Sequence, residues 1–419
     1  MKQSELVYTT YKEKPKEEEA KNAILLIRAG FIEKVAAGIY SFLPLGFRVL
    51  KKIETIIRQE LNAVGCQEVL LPALHPKENW RQTDRWNKLD VLFKTKSQTG
   101  LEYALGPTHE EIIFPVMKKL ISSYKDLPKA VYQIQTKFRD ELRAKSGLLR
   151  NREFLMKDLY SFHQSSEEVE KFKAKIDRAY LRIFSRCGLK VIVAKADGGT
   201  FSPFSTEFQV VAEAGEDVIY YCGKCGLAWN EEVFKGDKCE KCQGRLARLK
   251  SIEVGNTFNL DTRYSQPFGL QFKDKDGQAK LVYAGCYGIG VARLMGTIVE
   301  IRAGEHSILW PKEVSPFGLH LLIFWSKTAS LNKKLEGLAA ALEKQLKATA
   351  LEYLIDERMV SIGEKFAESD LFGIPNRLIL SEKTLIDGKI ELQQRLSEKK
   401  LTIKKLKITA AIKFLVNNG

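Results

Sequence analysis

No stretch of this chain approaches the roughly 18 to 20 consecutive apolar residues that a bilayer-spanning helix requires. The N-terminus, MKQSELVYTTYKEKPKEEEAK, has no apolar core of the secretory type either. Membrane insertion and export are therefore disfavoured, and a cytoplasmic location is expected. Cysteine is scarce, seven in 419 residues and an odd number, which suits a reducing compartment better than a disulfide framework. No GxxxxGK[ST] loop and no dinucleotide-binding glycine fingerprint occurs, which argues against P-loop and Rossmann enzymes. Internal repeats are missing. The one biased stretch, Lys12 to Lys21, reads most simply as a solvated helix face.

Acids are in deficit: 52 Asp and Glu face 67 Lys and Arg, a formal charge of +15. Such an excess favours a polyanionic partner, nucleic acid or acidic lipid. With 44% apolar and 28% charged residues the chain is neither disordered nor fibrous, and its length implies two or three domains.

From Gly46 to Gly65, Val49, Leu50, Ile53, Ile56, Ile57 and Val64 recur at three- and four-residue steps, predicting an amphipathic helix. A strand is expected at 67–72, closed by Pro72. Runs rich in β-branched and aromatic residues follow at 130–136, 154–162, 190–194, 207–212, 255–260 and 280–284, predicting a large, mainly antiparallel sheet with helices around it. Past Ser315-Pro316, strand-like 319–325, 351–355 and 377–380 alternate with helical 331–348 and 362–371, the pattern of a compact α/β domain. The boundary is expected near 313, giving domains at 1–312 and 313–419.

Three constellations carry chemistry. In the first, residues 137–157 set seven Lys or Arg against three acids, with a basic loop between two strand-like ends. Arg139 on a strand and a second basic cluster in the loop can clamp phosphate and meet a nucleic-acid end, or else form a solvated hairpin with surface ion pairs. In the second, Gly285-Cys286-Tyr287-Gly288-Ile289-Gly290 leads into a helical run 289–301 with Arg293 in its first turn, a place for phosphate or for tight helix-to-sheet packing. The third is Gly106-Pro107-Thr108-His109-Glu110-Glu111 after a strand-like 102–105. Thr108 and Glu110 on one side of an extended segment could hold an amine, and Thr108 could equally cap a helix.

In this order the motifs resemble those of class II aminoacyl-tRNA synthetases, and in detail the bacterial-type prolyl-tRNA synthetases, over nearly the whole length. Residues 36–46 and the helix to Pro72 are similar to motif 1, Phe138-Arg139-Asp140-Glu141 through Asp158 to motif 2, and Gly285 to Arg293 to motif 3. Residues 252–258, 355–358, 363–367 and 370–375 are similar to segments typical of the prolyl specificity. The resemblance implies an α+β catalytic domain of the class II fold with a C-terminal α/β anticodon-binding domain. It implies ATP-dependent ligation of L-proline to tRNA(Pro) through a prolyl-adenylate, with Mg²⁺, in a homodimer built through motif 1.

By the same resemblance Arg139 would bridge the proline carboxylate and the α-phosphate. Glu141 and Phe154 would take the adenine, and Arg293 the γ-phosphate. Thr108 and Glu110 would accept from the prolyl ammonium, and Met156, Asp158, Tyr160 and His163 would lie around the ring. Arg143 and Lys145 would meet the tRNA acceptor end, while the run Arg395 to Lys407, six basic residues against one acid, would grip phosphates or form a solvated tail. Asn256 stands where the family usually has His, Asp261 where it has Gly, and Ala144-Lys145-Ser146 replaces Pro-Arg-Phe. A carboxylate already ionised at neutral pH is the nucleophile, so the task is positioning and charge neutralisation. Other readings are another class II synthetase, such as a threonyl or seryl one, or a non-catalytic paralogue that binds tRNA. Joint retention of Arg139, Glu141 and Arg293 argues against the paralogue.

Cys222-Gly-Lys-Cys225 and Cys239-Glu-Lys-Cys242, 13 residues apart, are two knuckles able to hold a structural zinc within a ribbon at about 218–250. Only residues 164–284 separate motifs 2 and 3, which leaves no room for the editing module common in bacterial relatives. Reliance on a separate deacylase partner, or tolerance of the error, is the corresponding expectation.

Overall fold

The computed structural model describes residues 1–199, 201–397 and 400–418. The chain forms two compact units, Val35–Tyr40 with Ile53–Thr297, and Met1–Lys34 with Ser41–Lys52 and Ile298–Gly419. Helix α1 (Pro44–Ala63) opens on a proline whose missing N–H is one a first turn leaves unbonded anyway. Its Val49, Ile53, Ile57 and Leu61 recur every four residues and are buried, as the periodicity predicts.

The first of these units is built on a nine-stranded sheet of β1 (Gln67–Glu68), β2 (Lys129–Phe138), β3 (Glu153–His163), β4 (Ile192–Asp197), β5 (Phe204–Val211), β6 (Asp217–Cys222), β7 (Ala228–Asn230), β8 (Leu246–Asp261) and β9 (Tyr283–Gly290). Their order is β5-β4-β7-β6-β8-β9-β3-β2-β1, with β5 also paired to β8. Among the described residues the pairings are antiparallel except β1–β2 and β4–β7. The strand expected at 67–72 pairs over only two residues, and the one expected at 280–284 is split, Ala279–Leu281 pairing with Gln271–Lys273 before β9 begins.

Successive side chains on a strand face opposite sides. Phe154, Met156, Asp158 and Tyr160 therefore share one face of β3, and Lys157, Leu159, Ser161 and His163 the other. Helix α3 (Ser166–Arg186) covers that second face: the Lys157 ammonium donates to Tyr180 Oη and, at 2.9 Å, to the Tyr287 carbonyl. Before it in the chain, α2 (Glu110–Lys118) tolerates Pro115 for a definable reason. Pro115 cannot donate to the Glu111 carbonyl, and Asn79 Nδ2 takes its place at 2.8 Å. Helix α4 (Val291–Arg302) follows β9 directly.

The other unit has a five-stranded sheet of β10 (Leu319–Ile323), β11 (Tyr353–Asp356), β12 (Asn376–Leu380), β13 (Ile390–Ser397) and β14 (Lys400–Leu406), in the order β11-β10-β12-β13-β14. β10 runs parallel to both neighbours, and α5 (Ala329–Lys347), α6 (Ile362–Phe372) and α7 (Ile408–Asn418) complete it. The alternation read after residue 315 is thus present. The basic run 395–407 falls on the paired strands β13 and β14 and is no free tail, with Glu398 and Lys399 outside the described residues. Lys12 to Ala20 forms turns and no helix. Pro15 interrupts any ladder there, and Glu18 is drawn out of solvent by Lys34 at 2.8 Å.

Candidate active site

Strands β2, β3, β8 and β9 floor two adjoining cavities. One, of about 230 Å³, is lined by Arg139, Glu141, Arg150, Glu216, Asp217 and Arg293 among others. The second, about 240 Å³, reaches Thr108, Met156, Asp158, Phe201, Asn256 and Cys286. Arg139, Glu253 and Arg293 line both.

The two arginines are held differently. Arg293, in the first turn of α4, donates from Nε to the Leu149 carbonyl at 2.9 Å and from Nη1 to the Glu253 carbonyl at 3.0 Å. Arg139 lies over the Phe154 ring at 5.3 Å, and its protein hydrogen bond, to the Pro107 carbonyl, is a long 3.4 Å. Burial, reinforced by Arg293, lowers the pKa of Arg139, so an anion placed between the two meets weakly compensated charge. Burial likewise raises Glu253, and it lifts Glu207 to about 7 with help from Glu253.

Arg150 ties this end together. It pairs with Glu141 at 2.9 Å and with Glu216 at 2.9 Å. Lys145 lies 3.5 Å from Glu216, and both Lys145 and Arg143 are exposed on the loop.

At the other end the Thr108 hydroxyl donates to Glu110 Oε2, and the Cys286 thiol to Glu110 Oε1 at 3.2 Å. Glu110 opens α2 and is not part of an extended run. The cap position belongs to His109, with no side-chain bond, so Thr108 is not the helix cap. Asp158 meets Lys137 at 2.7 Å and accepts from Gln133 at 3.0 Å and from Tyr160 Oη at 3.1 Å. Behind Glu110, Arg85 pairs with buried Glu111 at 2.9 Å, and burial pushes Glu111 up to about 7.

Of the residues the sequence singled out, Thr108, Arg139, Met156, Asp158 and Arg293 line the second cavity, and Glu141 and Phe154 flank the arginine end. Tyr160 is buried beneath the site, its hydroxyl accepting from the His109 amide at 3.0 Å. His163 is placed elsewhere, on the α3 face of β3 with its ring 5.2 Å from Phe172. The odd spacing from Asp158 turns it away. The glycines read as a strand-to-helix junction lie within β9 itself. A Cβ at Gly285 would sit 2.2 Å from Tyr287 Oη, so that glycine admits a folded-back tyrosine.

Sequence reasoning passed over Arg150, Glu216, Asp217 and Lys137. Lys137 and Arg150 sat within the basic segment 137–157 without being given a role, and Glu216 and Asp217 carry no local signal.

The four cysteine sulfurs of the β6 to β8 segment lie within 4.8 Å of one another, Cys222 to Cys242 at 3.5 Å and Cys225 to Cys239 at 3.6 Å. Backbone amides of Cys225 and Lys224 help bring the Cys222 thiol down to about 6. Soft sulfur donors in that number suit tetrahedral zinc.

Residues 93–302 match the model for the tRNA synthetase class II core domain (G, H, P, S and T), and residues 324–418 that for the anticodon binding domain. The fold and the arginine-lined cleft are accordingly those of a class II tRNA synthetase. The chain is 32% identical to the proline–tRNA ligase of Halothermothrix orenii, covering 94% of this chain and 96% of that one. It is 35% identical to that of Ehrlichia ruminantium, covering 96% and 97%. This chain belongs to the proline–tRNA ligase family. The first alignment runs over 548 positions against at most 419 residues here, so that relative has well over a hundred without counterpart; the second runs over 419. The Giardia lamblia prolyl-tRNA synthetase in complex with prolyl-adenylate shares the fold at a TM-score of 0.78 and 20% identity, covering 94% of this chain and 77% of that one.

Proposed function

We infer that this chain activates L-proline with ATP and passes the prolyl group to tRNA(Pro). The observation that carries this is the convergence of Arg139 and Arg293 on a cavity whose far end holds Thr108, backed by its hydrogen-bond partner Glu110, and Asp158. In this reading Arg139 bridges carboxylate and α-phosphate, Arg293 takes the γ-phosphate, and Glu141 and Phe154 take adenine. Thr108 and Glu110 accept from the ammonium, while Met156 and Asp158 line the ring site with Tyr160 beneath. Arg143 and Lys145 face the acceptor end. Glu253 and Asp217 supply the hard oxygen donors that Mg²⁺ prefers and would hold the ion beside the triphosphate, where it neutralises phosphate charge. Cys222, Cys225, Cys239 and Cys242 would hold a zinc that supports folding.

The proposed domains are 1–312, catalytic, and 313–419, anticodon-reading. The active unit is a cytoplasmic homodimer that leaves misacylated tRNA to a separate deacylase. Among the described residues no helix is long and apolar enough to cross a membrane. Pyrophosphate exchange run with each of the twenty amino acids tests the reading: proline should dominate, and exchange driven best by another amino acid would reject it. A monomer in sedimentation at assay concentration would reject the dimer.

A further inference from the structure

Asp158 is the carboxylate of the amino-acid end that lines the cavity, yet the groups around its oxygens are already occupied by the protein. Oδ1 faces the Lys137 ammonium at 2.7 Å, an ion pair set off the hydrogen-bond axis, and Oδ2 takes Gln133 and Tyr160. Lys137 is 0% and Asp158 2% exposed, so water does not loosen the pair. The ionisable neighbours are Arg139 just past the end of β2, Lys157 and Tyr160 on β3, Cys286 on β9, His109 and Glu110 at the start of α2, and His75 before them. Both imidazoles direct Nε2 to the Pro72 carbonyl at 3.1 Å. Burial, with Lys137 adding to it, drives His75 down to about 3 and His109 to about 2, so neither ring competes for Asp158 as a cation.

That leaves for a substrate ammonium the Thr108 hydroxyl oxygen and Glu110, whose two oxygens accept one protein donor each, against three groups around Asp158. A secondary ammonium brings two N–H donors and a primary one brings three. A third donor needs a third acceptor, and Asp158 is engaged. We propose that Lys137 is a specificity-determining positioning residue: by keeping Asp158 occupied it withholds a third acceptor and so favours a secondary over a primary ammonium. This rests on reading the cavity as the proline site. Sites that leave a buried donor unpaired reject such ligands far more strongly than sites that merely fit shape.

Pyrophosphate exchange with proline and with alanine, on wild type, Lys137→Met, Asp158→Asn and the double variant, tests it. In Lys137→Met the proline-to-alanine ratio of kcat/KM should fall by about tenfold or more, while KM for ATP should stay within about twofold. The double variant, with the charge of the acceptor removed, should recover part of that ratio. Asp158→Asn alone strands a buried ammonium and should depress kcat/KM for both amino acids, with Lys137→Met added to it restoring part of the loss. An unchanged ratio in folded Lys137→Met overturns the proposal. Should that variant fail to fold, equal values for Asp158→Asn and the double variant overturn it as well. A wild type that does not activate proline refutes the underlying reading instead.

Discussion

Replacing Arg139 by Ala isolates the chemical step from the fold. Of its five N–H donors, one makes a protein hydrogen bond, and at 3.4 Å that bond is weak. The Phe154 ring at 5.3 Å sets the guanidinium plane and leaves the remaining donors toward the cavity. A charge-assisted bond to a carboxylate or phosphate oxygen is worth about 1.5–3 kcal/mol, and a fork makes two. The loss in kcat/KM for adenylate formation should therefore be about 3–6 kcal/mol if both are tighter in the transition state, or roughly 10² to 10⁴-fold. Stability should barely move, within about 1 kcal/mol, because so little of the side chain is engaged. Arg139→Lys keeps the charge and loses the fork, and should recover only a small part. The assay is proline-dependent pyrophosphate exchange beside a urea melt. Exchange by Arg139→Ala within about tenfold of wild type refutes the reasoning, because no single donor of transition-state charge costs so little.

Arg85→Met should destabilise by about 3–5 kcal/mol at pH 8, since it strands buried Glu111. Because the folded pKa of Glu111 lies above its unfolded value, its contribution favours folding at low pH and is lost as pH rises through about 7. The cost in the variant should accordingly shrink at pH 5, read from urea midpoints at both values. Protein purified without added metal should carry about one zinc per chain by elemental analysis, and Cys222→Ser should lose it with a drop in melting temperature. The methylenes that alanine lacks relative to proline supply about 1–3 kcal/mol of discrimination, and its third ammonium N–H adds to it without making the rejection absolute. Some alanyl-tRNA(Pro) should therefore form, and purified enzyme should hydrolyse it no faster than buffer does.

What the sequence disclosed, and what it did not, divides by range. Helix α1 and the two-sided strand β3 were legible because a period of 3.6 or 2 is written into neighbouring residues. Arg139, Arg293 and Thr108 were legible through their motifs. His163 was misplaced by one face because the motif groups residues that the pleat separates, whereas its odd spacing from Asp158 carried the answer. The Lys137–Asp158 pair and the Arg150–Glu216 contact were not legible. Each joins side chains whose approach is set by strand register or loop closure, which leaves no trace in local spacing. The stretch from Lys12 to Ala20 failed for the opposite reason: charge alternation suggested a helix, while Pro15 and the burial of Glu18 against Lys34 decided otherwise.

Cys222 and Leu246 face each other across β6 and β8, about 5 Å apart, and between them the chain gives the sheet only the three residues of β7, Ala228–Asn230. The loop that follows β7, residues 231–237, lies outside every strand of that sheet, so it can lengthen or shorten at little cost, since each doubling of a flexible loop costs only about 0.6 kcal/mol. For the engineer, that loop is a place to graft a guest domain without cutting a strand of the sheet.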